Sequence, residues 1–324
     1  MDSKNILTKK INVIILAIIC AVLWGSAFPT IKVSYIEVGI GNEDLVAKIV
    51  FAGLRFFIAS IMIFLFTRFI LKKSLKINKK YIKFLFLGGI IQTSLQYSFF
   101  YIGLSNIMGS KASILVSFEA FAVMLIAHFY YHNDKMNINK ILGLLFGFTG
   151  IIVVNWGKGF NMNFTLFGEG FIMLSCVFGA IAAILAKELS KEINPFVITA
   201  WQMFIGSSIV LIFGVPRLSE GAITFTLKGY ILLGYAAFLS ATAFSIWYSL
   251  LKYNKAGEIA IYRFMIPISG MILSILFLQG EVFTINTLIA LIFVSMGIIA
   301  INYTFVKKRR SIKKRRMLNE TNFM

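Results

Sequence analysis

Two ionisable side chains stand where a chain of this kind tolerates few. Glu119 and Arg263 each lie inside a predominantly apolar segment. A charge at such a place costs a few kcal/mol and calls for a partner. Three arrangements satisfy the pair. Glu119 holds an ammonium group while Arg263 grips a carboxylate with two parallel N–H bonds, so that together they bind a zwitterion. Alternatively the two pair directly and lock one conformation. In the third, Glu119 is protonated, since burial favours the neutral carboxyl; that state would suit a coupling proton.

Other polar and aromatic residues share the apolar runs. Arg55 lies about nine residues into its run, either as a clamp on backbone carbonyls or as a ligand contact. Gln92 and Gln96 are spaced i, i+4 and share a helix face. Trp24 precedes Gly25, Ser26 and Pro29, a stretch that loosens a helix and offers backbone to a site or gate. Trp201 and Gln202 are further candidates for a pocket wall. Tyr101, Trp247 and Tyr248 fall toward the ends of their runs and read as interfacial or gate-side; the aromatic set could equally cradle an organic cation. Ser110, Ser113 and Ser117 form a stripe suited to close helix packing. His128 and His132 have metal spacing but no visible third ligand. Cys20 and Cys176 are embedded in apolar sequence and read as packed thiols. There is no P-loop, no GxSxG, no HExxH and no nucleophile–base pair, so no catalytic residue, cofactor or metal is expected.

The elements that must position these residues follow from composition. Of 324 residues 59% are hydrophobic and only 14% charged, and the mean hydropathy is +0.85. A soluble core of this size cannot hide so much apolar surface. The solvent for most of the chain is lipid. Ten apolar segments are long enough to span it, at about 11–31, 46–70, 82–104, 109–131, 139–156, 167–187, 195–215, 227–250, 257–279 and 284–306. The net charge of +19 does not point to nucleic acid, because the basic residues sit in short loops and at the C-terminus. With the N-terminus inside, the inner segments carry 23 Lys and Arg and the outer ones 6. That asymmetry predicts both termini in the cytoplasm. The tail, 307–324, is basic and would fix the last helix.

The two halves resemble each other at an offset of 147 residues. LRFFIAS at 54–60 falls on WQMFIGS at 201–207, Ser98 and Tyr101 on Ser245 and Tyr248, Asp134 on Glu281, and GIIVVN at 150–155 on GIIAIN at 297–302. A repeat of five spans is odd, so two tandem copies insert upside down relative to each other. Inverted repeats are a signature of secondary transporters, with the substrate near mid-membrane where the copies meet. The fourth and ninth spans are repeat equivalents and should face each other, bringing Glu119 toward Arg263.

WGSAFPTIK at 24–32, LRF at 54–56, the acid at 134, TAWQMFIG at 199–206 and the spacing from Pro267 to Gly280 and Glu281 resemble the EamA-like branch of the drug/metabolite transporter superfamily. The resemblance runs through nearly the whole chain. It implies an all-α integral membrane protein with ten transmembrane helices as two inverted five-helix repeats, at 1–157 and 158–306, around a central cavity. It implies movement of a small metabolite across the plasma membrane, an amino acid or related zwitterion with efflux as the direction. Uptake of an amine or quaternary ammonium compound is the alternative, and a membrane-embedded enzyme the remote one. The abundance of Ile, Lys and Asn points to an AT-rich, bacterial genome. One departure stands out: where members carry a proline in the fourth span, matching Pro267, this chain has Ala120. Its absence predicts that the fourth helix lacks the ninth's kink.

Overall fold

The computed structural model describes residues 3–41, 43–107, 112, 115–155, 164–277, 285, 286 and 288–300. Among them every regular element is helical. A short turn of helix, Ser3–Thr8, leads into α1, Lys10–Glu37. Then come α2, Leu45–Ile70, and α3, which joins Lys79–Gly89, a π-helical turn at Ile90–Leu95 and Gln96–Ser105. These are followed by α4, Phe118–Tyr130, and α5, Ile138–Asn155. The second half gives α6, Leu166–Leu189, α7, Pro195–Arg217, α8, Leu227–Tyr253, α9, Ala256–Phe277, and α10, Leu288–Ala300. Among the described residues α1, α2, α6, α7, α8 and α9 are, by length and composition, able to cross a bilayer, and α4, α5 and α10 are shorter apolar helices. The Glu281 position, Ser110, Lys111, Ser113 and the basic tail lie outside the described residues.

Helix starts are written locally. Asp44 accepts from Ala47 N at 2.8 Å, Asn194 from Phe196 N at 2.9 Å with Pro195 next in line, and Thr226 from Gly229 N at 3.0 Å. Each satisfies an N–H that the first turn leaves open. Large apolar side chains lie on the outside, among them Phe69, Phe129 and Leu227, each more than two-thirds exposed. In water that surface would be untenable; against lipid chains it costs nothing.

Packing joins the halves rather than separating them. α1 lies against α8 and α9, and α6 lies against α3 and α4. α2 meets α7 and α8, and α7 meets α2 and α3. Small residues let backbones approach, as the lipid environment requires. The Gly25 Cα faces Ser269 and Gly270 where α1 crosses α9, and Gly206 lies against Gly89 O where α7 crosses α3. On α5 and α10, Gly150 faces Val294 and Gly297 faces Gly143 O.

Two local features differ from the sequence reading. α1 runs unbroken through Pro29. The Gly25 carbonyl, which Pro29 leaves without an N–H partner, faces Gly270 of α9, where a Cβ would stand 3.2 Å away. The fourth segment is interrupted even without its proline. Ala120 N bonds to Ser117 O at 3.1 Å, a tight turn at the head of α4. The matching place in the second half, Ile261–Phe264, is a 3₁₀ turn inside α9. Both segments therefore change pitch next to the residues of interest, one with a proline nearby and one without.

Candidate functional site

The pitch change in α9 places Arg263, and the turn at Ser117 places Glu119 one residue into regular helix. The two meet directly, Arg263 Nη1 to Glu119 Oε2 at 2.8 Å, with both side chains mostly buried. Of the arrangements open to them, this conformation shows the ion pair. Glu119 Oε1 and Arg263 Nε have no hydrogen-bond partner. The Arg263 guanidinium also lies 5.2 Å from the Trp24 ring and 5.1 Å from the Trp247 ring, and the two indoles meet edge-on at 5.2 Å. The aromatic cage is thus filled by the protein's own cation, and Trp247 is buried behind it rather than at an interface.

Above this pair opens a cavity of about 350 Å³. Its walls include Trp24, Gln92, Gln96, Tyr97, Tyr101, Glu119, Phe244, Tyr248 and Arg263, with Arg55 to one side. Its outermost lining residues are Lys32, Tyr35, Lys48 and Leu104. These lie near the end of α1, the start of α2 and the end of α3, so the cavity extends toward the face where α1 ends and α2 begins. Tyr101 and Tyr248, read from sequence as interfacial or gate-side, are 5% and 2% exposed and belong to the cavity wall. Their helices are long enough that residues near an apolar run's end still face the interior.

Gln92 and Gln96 both reach the cavity, although the π turn at Ile90–Leu95 disturbs simple i, i+4 geometry between them. Such turns rotate a face and recur at functional sites. The π turn is anchored by Ser94 Oγ, which donates to Gly206 O at 2.9 Å, and both polar atoms of the Gln92 amide are buried without partners. Arg55 is 3% exposed. Its Nε donates to Ala236 O at 3.1 Å and Ser240 Oγ at 2.7 Å, which joins α2 to α8.

Trp201 and Gln202 do not belong to this cavity. Trp201 Nε1 donates to Leu75 O at 3.2 Å, its ring packs on Phe64, and it borders a separate apolar groove with Leu75, Ile77 and Leu85. Gln202 is fully buried against Gly88 where α7 meets α3. That helix face is used up by packing, so neither side chain can reach the interior. Pro267 is buried in α9, one turn beyond Arg263.

Two wall components gave no signal in the sequence. Gly179 of α6 leaves the room in which Glu119 Oε1 and Gln96 Nε2 sit; a Cβ there would stand 2.6 Å from Gln96 Nε2 and closer still to the carboxylate. Tyr97 packs on Phe56 with ring centroids 4.4 Å apart.

The opposite face is closed by polar contacts. Asp134 pairs with Lys140 at 2.5 Å, and its other oxygen accepts from Gly257 N at 2.9 Å in the first turn of α9. Lys187 of α6 donates to Leu251 O and Asn254 O, the open carbonyls at the end of α8. Asn254 Nδ2 reaches Leu7 O at 2.9 Å. Tyr131 OH donates to Glu188 Oε1 at 2.6 Å. His128 Nδ1 accepts from Met136 N at 2.8 Å, so it serves the same loop. Among the described residues no group of three metal-ligating side chains occurs, and both cysteines are free and buried.

Comparison with known proteins agrees with this architecture. The model of the EamA-like transporter family matches residues 11–156 and 166–303. The chain is 25% identical over 289 residues to the uncharacterized transporter YoaV of Bacillus subtilis, covering 89% of this chain and 95% of that one. It is 25% identical to an uncharacterized transporter of Archaeoglobus fulgidus, covering 88% and 95%. A crystal structure of a protein 12% identical in sequence superposes with a TM-score of 0.74 over 92% of this chain and 98% of that one, which speaks for the fold alone.

Proposed function

The chain belongs to the EamA-like transporter family, and from that premise and the form of its cavity we propose that it is a secondary transporter working by alternating access across the plasma membrane. A transporter of this kind is a multi-pass membrane protein. We read ten spans, as two inverted repeats at 1–157 and 158–306 with both termini in the cytoplasm. Two findings support the repeat. The family model matches in two stretches of similar length. The main helix pairs, α1 with α8 and α9 and α6 with α3 and α4, exchange when each helix is replaced by the one five later.

The observation that carries the reading is the asymmetry of the interior. A cavity reaches from the Glu119–Arg263 pair toward one face, while Asp134, Lys140, Lys187 and Asn254 tie the other face shut. A carrier caught open to one side has this form, whereas a pore is continuous. The proposed cargo is a small metabolite, an amino acid or related zwitterion, moved outward as the family resemblance implies. Uptake of a quaternary ammonium compound is less well supported, because Arg263 occupies the space between Trp24 and Trp247.

Counterflow in proteoliposomes tests this. Vesicles preloaded with a mixed amino-acid pool should accumulate a labelled member of that pool against its gradient. Flux that is indifferent to the trans pool would mark a channel. Chemical conversion of the label without flux would mark an enzyme.

A further inference from the structure

One buried charge in the cavity has no counter-charge. Arg55 lies in the cavity wall, 3% exposed, well inside α2. Its Nε is spent on two neutral acceptors, Ala236 O and Ser240 Oγ. Among the described residues no carboxylate pairs with it, and no hydrogen bond reaches Nη1 or Nη2. The one acid among the described residues of the cavity wall, Glu119, is committed to Arg263. The two terminal nitrogens are not sealed in the wall but open to the cavity, where a ligand can reach them. Arginine is also the side chain best shaped to grip a carboxylate or phosphate with parallel N–H bonds. The rest of the lining points the same way. Lys32 and Lys48 stand at the cavity's outer rim, and Trp24 Nε1 is a buried donor without a partner. Among the described residues the ionisable lining is Lys32, Lys48, Arg55 and Arg263 against Glu119, and a cleft of one sign concentrates ligands of the other.

We propose that Arg55 is the anion receptor of this cavity, and that its cargo carries a carboxylate or comparable oxyanion on an apolar body. This rests on the reading of the cavity as a transport site and names the cargo's obligatory group. It also reassigns that group. Arg263, held by Glu119 and between two indoles, is a structural cation in this conformation, and Arg55 meets the cargo. The apolar body lies against Tyr97, Tyr101 and Phe244, and Glu119 Oε1 remains as an acceptor for an ammonium or hydroxyl.

The test uses matched pairs that differ only in charge: 4-methylpentanoate with 4-methylpentanamide, and 3-phenylpropanoate with 3-phenylpropanamide. Each is titrated against the full-length protein in lipid nanodiscs, and the thermal unfolding midpoint is read. At least one acid should raise the midpoint while its amide does not. Arg55→Gln should weaken the acid by at least about tenfold and erase the difference between acid and amide. Arg55→Lys should keep the discrimination with reduced affinity, because a point charge replaces a fork. The Glu119→Gln, Arg263→Gln double variant, which strands no charge in the wall, should keep the discrimination. The proposal is overturned if neither acid binds, if acid and amide bind alike, if Arg55→Gln still discriminates, or if the Glu119→Gln, Arg263→Gln double variant abolishes discrimination. Discrimination without counterflow would sink the transport reading and leave this one standing. Counterflow of a cargo with no oxyanion would do the reverse.

Discussion

Glu119→Gln should destabilise the protein, and a second substitution, Arg263→Gln, should cost far less on top of it than alone. The carboxylate and guanidinium are 2.8 Å apart and nearly enclosed. Charge centres about 4 Å apart attract by roughly 4 kcal/mol at the effective dielectric that fits protein sites, and breaking such a buried pair costs about 3–5 kcal/mol. The Gln carbonyl still accepts from Arg263, which restores about 1.5 kcal/mol. Glu119→Gln should therefore cost about 2–3 kcal/mol. Arg263→Gln also forfeits two indole contacts at 5.2 and 5.1 Å, each worth about 1 kcal/mol, so it should cost about 4 kcal/mol. In the double variant no charge is stranded, and the coupling should be about 2 kcal/mol. The native thiols supply the assay. Cys20 and Cys176 are buried, so a thiol-reactive fluorogenic dye reports unfolding without added labels. The Glu119→Gln midpoint should fall by roughly 5 °C. Single costs that add to within about 0.5 kcal/mol in the double variant would refute the pairing.

Further predictions follow from the closed face and the cavity wall. Asp134→Asn strands the buried Lys140 and weakens the hold on Gly257; it should increase labelling of a cysteine placed at Ala183, a cavity-lining position of α6, by an impermeant maleimide applied from the sealed face only. Lys187→Met removes the donor from the last carbonyls of α8 and should lower stability by about 1–3 kcal/mol in the same dye assay. Gly179→Ala puts a methyl group against Glu119 and Gln96 and should cost about 1–3 kcal/mol by overpacking, with loss of flux. Trp201→Phe, outside the cavity, should leave the binding of 3-phenylpropanoate unchanged.

Much of the arrangement is legible in the sequence because lipid is a strict solvent. An ionisable residue inside an apolar run is conspicuous, and the offset of 147 residues links the spans that carry Glu119 and Arg263. The repeat misleads for Gln202. It is the counterpart of Arg55, yet Arg55 lines the cavity while Gln202 is packed against Gly88. Equivalent positions have equivalent surroundings only when both faces are open or closed together, and here one face is open and the other sealed. Trp201 follows its neighbour into that packed interface. The break at Ser117 was hidden for a different reason: proline is one way to change a helix's pitch, and a local i→i+3 bond is another. Gly179 matters through the volume it does not fill, which hydropathy and charge leave unmarked. The polar ties of Asp134, Lys187 and Asn254 join residues far apart in the chain, beyond the reach of any local pattern.

The central claim is that one interior site faces the two sides of the membrane in turn. It is tested by a single cysteine at Phe100, a cavity-wall position, in a Cys20→Ala, Cys176→Ala background, challenged in oriented vesicles with an impermeant maleimide from each side separately. Alternation predicts labelling from both sides, with Asp134→Asn raising the rate from the side that is sealed here. Labelling confined to one side in both the parent and the Asp134→Asn protein would contradict the account.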